Sequence, residues 1–167
     1  TIDDSRNFDI INLPALWRNP RPALVKYKEY IPWLKNQASN GALFIAVGTG
    51  VCFLAESGLL DKQPATTHWH YFDQFHKDYP DVLLKRQYFI TQAGNLYCAA
   101  SVNAMAELMV HLSARLYGRD AAKQVERNFF HEIRSSFKPT SYFSDEVKQH
   151  PDEQIVQAQI WLEDNYA

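Results

Sequence analysis

Residues 42–60, ALFIAVGTGVCFLAESGLL, run an uninterrupted apolar stretch into a glycine-rich corner and then into a second apolar stretch. This feature limits the fold most. Ala42 to Val47 leave no face for water, and a strand of that kind is buried on both sides, as in a parallel sheet covered by helices. FDIINLP, Phe8 to Pro14, is a second such run, rich in β-branched residues and ended by proline. Between the two lies a helical pattern through Leu24, Tyr27, Ile31 and Leu34, broken into two pieces by Pro32. Ser39 to Gly41 close it as a C-cap does. This alternation of strand and helix predicts an α/β domain.

The remaining segments fit that class. A helix is expected from about Gly50 to Ser57, with Gly58 as its stop. TTHWHYFDQFHKDYP reads as a further helix, capped by Thr66 or Thr67 and ended at Pro80. YFIT and LYCAA flank QAGN, a hairpin turn. A long helix follows from Val102 to Tyr117, with an apolar stripe of Val102, Met105, Ala106, Met109, Ser113 and Leu116 expected to pack on the sheet. Asn103 is a possible cap for it, and Gly118 ends it. RDAAKQVERNFF is another helix. Residues 131–150 show no clear period and read as a linker. From Pro151 to Ala167 helical spacing resumes through Ile155, Ala158 and Leu162, with Pro151 at the first helical position and acidic residues in the first turn.

Composition excludes several classes. Hydrophobic residues make up 46% of the 167 and aromatic residues 14%, enough for a packed core. The net charge of −2 offers nothing to attract a polyanion, so this chain alone is not expected to bind nucleic acid strongly. Two cysteines, Cys52 and Cys98, are too few for a disulfide framework, and a reducing cytoplasm is the simplest compartment. The apolar runs fall far short of the ~20 residues of a membrane span. TIDDSRNFD carries no basic or apolar leader, so no signal peptide is expected, and the missing initiator Met suggests a fragment or a processed chain.

A corner between strand and helix lies at the carboxyl end of a parallel sheet, where α/β proteins bind ligands. Backbone N–H groups at the helix start can hold an oxyanion there. A catalytic corner also carries a nucleophile on its strained residue. Gly48 has no side chain. Thr49 offers either a hydroxyl or only a backbone N–H. Cys52 lies a turn into the helix and reads as a small buried hydrophobe, as does Cys98. His68 and His70 form H-x-H, but residues two apart on a helix do not share a face, so no metal site is expected. His70 and His76 are expected at the surface and Trp69 in the core. Glu107 faces either the pocket or solvent.

The segment AESGLLDKQPATTHW, Ala55 to Trp69, resembles the signature of the class I glutamine amidotransferase-like, ThiJ/PfpI group, and in particular the sensor domain of AraC-type transcriptional regulators of the GlxA kind. LYCAASVNAMAELMVHLSARLYG resembles the strand, turn and long helix that close that domain. The resemblance covers roughly residues 8–130 and implies a flavodoxin-like three-layer sandwich with a mostly parallel sheet. It implies a sensor domain over 1–135, a linker over 136–150 and, over 151–167, the first helix of a truncated helix-turn-helix domain. A family strand with an acidic residue is not found ahead of Phe8, so the N-terminal strands are expected to be missing.

In the hydrolytic members a cysteine stands where this sequence has Gly48, and His68 matches the histidine beside it. The resemblance therefore implies a ligand-sensing, non-enzymatic site at Gly48, Thr49, Gly50 and His68, with no catalytic residue, metal or cofactor. Its effector is a small molecule, with amino acids, amides and quaternary amines all open. DNA would be bound only through a downstream helix-turn-helix region absent from this chain, in a cytoplasmic homodimer. Two alternatives remain: a thiol hydrolase or amidase using Cys52, and an oligomerisation module with a vestigial pocket.

Overall fold

A computed structural model describes residues 6–16 and 19–129. The linker expected over 131–150, the rest of the 1–135 unit and the helix expected over 151–167 lie outside those residues. The described elements are β1 (Ile10–Leu13), α1 (Arg21–Lys26), α2 (Ile31–Ser39), β2 (Leu43–Val47), α3 (Val51–Glu56), β3 (Pro64–Ala65), α4 (Phe72–Asp78), β4 (Leu83–Leu84), β5 (Ile90–Ala93), β6 (Leu96–Ala99), α5 (Val102–Tyr117) and α6 (Arg119–Phe129).

β2 is the organising strand. All five of its residues are buried. It pairs in parallel with β1 on one side and β6 on the other, and β5 closes the sheet antiparallel to β6 in the order β1-β2-β6-β5. Its side chains alternate between two cores. Phe44 and Ala46 pack with Val51, Leu54 and Phe75 under the α2–α3–α4 layer. Leu43, Ile45 and Val47 pack with Tyr97, Ala104, Leu108 and Leu112 under α5. Helices on both faces of a mostly parallel sheet make the expected three layers, which is why the run from Ala42 to Val47 has no polar position.

The hairpin forms as expected, with a two-residue turn at Gly94 and Asn95. Gly94 takes φ +59°, which a side chain would oppose. Pro32 sits in the first turn of α2, so the chain breaks just ahead of it, between Lys26 and Ile31.

Expectations are corrected in three places. The segment from Thr66 does not start a helix. Pro64 and Ala65 pair with Leu83 and Leu84 in a second, two-stranded parallel sheet, and the chain stays extended through His68. It then makes a 3-10 turn over Trp69–Tyr71 before α4. Thr66 and Thr67 are fully buried in the fold and cap nothing. Trp69 is 55% exposed and not in the core.

The second correction concerns α5. The face on the sheet is Ala104, Leu108, His111 and Leu112; of the expected stripe Met105 packs against this core, Ala106 and Ser113 are half-buried, and Val102, Met109 and Leu116 turn outward, 64%, 38% and 48% exposed. Small Ala104 lets the helix approach the sheet, and Tyr97, fully buried, fills the space below. The third is its cap. Ser101, extended and just before the helix, accepts from the Ala104 N–H, whereas Asn103 lies inside the helix.

Candidate functional site

The carboxyl ends of β1, β2 and β6 meet at the corner after Val47. Val47 is extended, Gly48 turns to φ +50°, and Gly48–Gly50 form a 3-10 turn that leads into α3. The positive φ is the strained elbow geometry that glycine adopts without cost.

Each corner residue is held by a different neighbour. The Thr67 hydroxyl donates to the Gly48 carbonyl at 2.9 Å. The Thr49 hydroxyl donates to the Leu16 carbonyl in the loop after β1. A Cβ on Gly50 would lie 2.4 Å from the Pro14 carbonyl oxygen and 2.6 Å from that of Leu13, so β1 and α3 can approach this closely only with glycine there. Thr49 thus commits its hydroxyl to structure. The glycine at 50 serves the packing of the corner against β1.

Gly48 is different. A Cβ there would meet Ala15 Cβ at 3.5 Å, His68 Cβ at 3.7 Å and the Ala100 oxygen at 3.9 Å, all ordinary contact distances. The elbow therefore has space for a Cβ, though at a φ of +50° that strains any side chain, at the position where the hydrolytic pattern puts its thiol, with His68 beside it. Its missing side chain leaves His68 no thiol to activate.

His68 is half-buried, and its pKa is lowered, first by burial and then by the neighbouring His70. A neutral imidazole is the result at neutral pH. The two cysteines are no substitute for a corner thiol. Both are buried, and burial pushes each thiol up to about 12, for Cys52 with a further contribution from Asp78. A thiol held protonated in this way is a poor nucleophile.

The structure brings Gly48, Thr49 and His68 together and turns Gly50 toward β1. Sequence reasoning missed Thr67, whose hydroxyl fixes the corner carbonyl, and Ala15 and Ala100, which border the elbow. Thr67 had a signal in its place next to His68, but its type suggested a helix cap. His70 and His76 are exposed as expected. The rings of His68 and His70 nevertheless meet, because His68 is extended and not helical. Among the described residues no three His, Cys, Asp or Glu side chains gather as a metal cluster.

The sequence profile of the DJ-1/PfpI family matches residues 2–115. The HTH-type transcriptional regulator CdhR of Pseudomonas aeruginosa is 35% identical over 108 residues, 65% of this chain and 30% of its own length. Isonitrile hydratase of Pseudomonas putida is 27% identical over 126 residues, 75% of this chain and 53% of that enzyme. An AraC family transcriptional regulator from Pseudomonas putida superposes with a TM-score of 0.61 at 28% identity, covering 72% of this chain and 62% of that structure. The chain thus spans about a third of the regulator and about half of the enzyme.

Proposed function

This chain belongs to the DJ-1/PfpI family, and on that premise we propose that it is the ligand-sensing part of an AraC-type transcriptional regulator whose elbow binds a small molecule without cleaving it. The observation that carries the reading is Gly48. The elbow keeps its strained backbone, its room and its histidine, and lacks the one atom that would react. The likeness to regulators supports the same reading. Gly48, the Thr49 N–H and His68 would contact the effector, and Gly50 and Thr67 would hold their backbone in place.

In this reading residues 1–135 are the sensor unit, 136–150 the linker and 151–167 the first helix of a DNA-binding region. DNA would be contacted by the helix-turn-helix part of the protein, not by the sensor. Among the described residues no helix is long and apolar enough to cross a membrane. A cytoplasmic homodimer is the assembly we propose, and the exposed stripe of Val102, Met109 and Leu116 on α5 is an apolar surface available to it.

The enzyme alternative draws support from the likeness to isonitrile hydratase. Against it stands the burial of Cys52, the thiol it would need.

A thermal-shift screen of amino acids, amides and quaternary amines tests the proposal. A true effector at about a hundredfold its Kd stabilises by about 2.7 kcal/mol, or roughly 5–10 °C for a chain of this size. His68→Ala is expected to remove that shift. Failure of every compound to shift the native protein, or hydrolysis that is lost in Cys52→Ser, would overturn the reading.

A further inference from the structure

Helical spacing would keep the two histidines of H-x-H apart, but His68 is not helical. His68 has φ −67° and ψ 135°, so it ends an extended segment, and His70 sits inside the following 3-10 turn. The change of conformation between them brings the rings to a centroid distance of 4.5 Å, steeply inclined at 66°. Their Nδ1 atoms lie 2.5 Å apart. At that separation one Nδ1–H donates to the other Nδ1, so the pair cannot be doubly charged.

We propose that His68 and His70 form an open two-histidine site for a borderline divalent transition metal, Cu²⁺, Ni²⁺ or Zn²⁺, bound through the two Nδ1 atoms. Metal–imidazole bonds of about 2.0–2.1 Å place two nitrogens on one metal about 2.9 Å apart at square angles and about 3.3 Å apart at tetrahedral ones. The observed pair, 2.5 Å apart, has to open by about 0.4 Å for a square site or about 0.8 Å for a tetrahedral one, with a turn of the rings that brings both lone pairs onto the metal. His70 is exposed and free to make the adjustment by side-chain rotation. The ligands need neutral imidazoles, and the burial that lowers the His68 pKa favours that form.

Among the described residues no third His, Cys, Asp or Glu joins the pair in a metal-sized cluster, so water fills the other positions. Such a site differs from a closed structural zinc site and follows the usual order of affinities, with Cu²⁺ strongest. It borders the elbow, because the space for a Gly48 Cβ is 3.7 Å from His68 Cβ. It does not depend on the elbow binding an effector, and each idea can fail alone.

Trp69 supplies the readout. Its ring centroid is 5.5 Å from that of His68 and 5.9 Å from that of His70. Titration of the full chain with CuCl₂, NiCl₂, ZnCl₂ and, as a control, MgCl₂ follows tryptophan fluorescence at pH 7.5. Saturable quenching by one Cu²⁺ per chain is expected, with competition by Ni²⁺ and Zn²⁺ and none by Mg²⁺.

His70→Ala and His70→Gln are both expected to weaken Cu²⁺ by about tenfold or more, with unchanged thermal midpoints because His70 is exposed. His68→Ala should do the same, and His76→Ala, on the exposed face of α4, should change nothing. Two results would overturn the proposal. One is quenching of undiminished affinity in the His70 variants, which puts the metal elsewhere. The other is no saturable response to any of the three metals, which leaves only a hydrogen-bonded pair.

Discussion

The corner at Gly48–Gly50 and the helix α5 both lie on β2, yet they are fixed by different forces. The corner is fixed by backbone. Gly48 needs a positive φ, Gly50 sits against two carbonyl oxygens, and hydroxyls of Thr49 and Thr67 reach for main-chain acceptors. α5 is fixed by area: it buries Ala104, Leu108 and Leu112 and leaves Val102, Met109 and Leu116 outside. A backbone constraint allows one residue type and one placement. An apolar stripe specifies that a helix packs, and two stripes on one helix leave its rotation to the surface beneath.

Gly50→Ala should expose the difference most strongly. Its new Cβ would sit 2.4 Å from the Pro14 oxygen. The atom in the way belongs to the backbone, so relief requires β1 or α3 to move. The upper end of the overpacking range, about 3 kcal/mol or more, is expected. Chemical denaturation would show the loss as a lower midpoint. A fall of less than about 1 kcal/mol would mean that the close approach of β1 and α3 is looser than the structure makes it.

On α5 the expected contrast is within one helix. Leu108→Ala removes a fully buried side chain and should cost about 2–5 kcal/mol. Leu116→Ala, at a site 48% exposed, should stay within about 0.5 kcal/mol. The paired urea midpoints check the rotation of the helix directly. Equal losses, or the larger loss at Leu116, would restore the stripe that the sequence suggested.

The same distinction explains what was legible. Glycines at 48, 58 and 94 occur where φ turns positive, and the continuous run from Ala42 to Val47 occurs where helices cover both faces. Those signals are local. The crowding at Gly50 was not legible, because it exists only once β1 pairs with β2. Thr66 and Thr67 carry the cap preference, but the core and the Gly48 carbonyl use them first. The meeting of His68 and His70 was hidden for a related reason: their spacing excludes contact in a helix, and pairing of β3 with β4 keeps the chain extended just ahead of His68.

The smallest expected effect compares the two histidines of these regions. His68 borders the corner, and His111 lies on the sheet-facing side of α5, 6% exposed, with its ring 6.4 Å from that of Tyr97. Burial lowers both pKa values, helped by His70 in the first case and Arg115 in the second. The folded state therefore resists protonation while the unfolded chain accepts it. Stability should be constant above the ordinary histidine value of about 6.5 and fall as pH drops from there to the lowered folded values. Above neutrality the thiols act in the opposite direction: Cys52 and Cys98, raised to about 12, should cost stability only as pH rises beyond their ordinary value of 9.0. Urea midpoints measured from pH 8 down to pH 5 should decline, and His111→Gln should flatten that decline more than His68→Gln. His111 is the more deeply buried of the two and so the harder to charge in place. A decline untouched by His111→Gln would mean that α5 opens readily enough for water to reach that ring, and the helix would then be held less firmly than the corner.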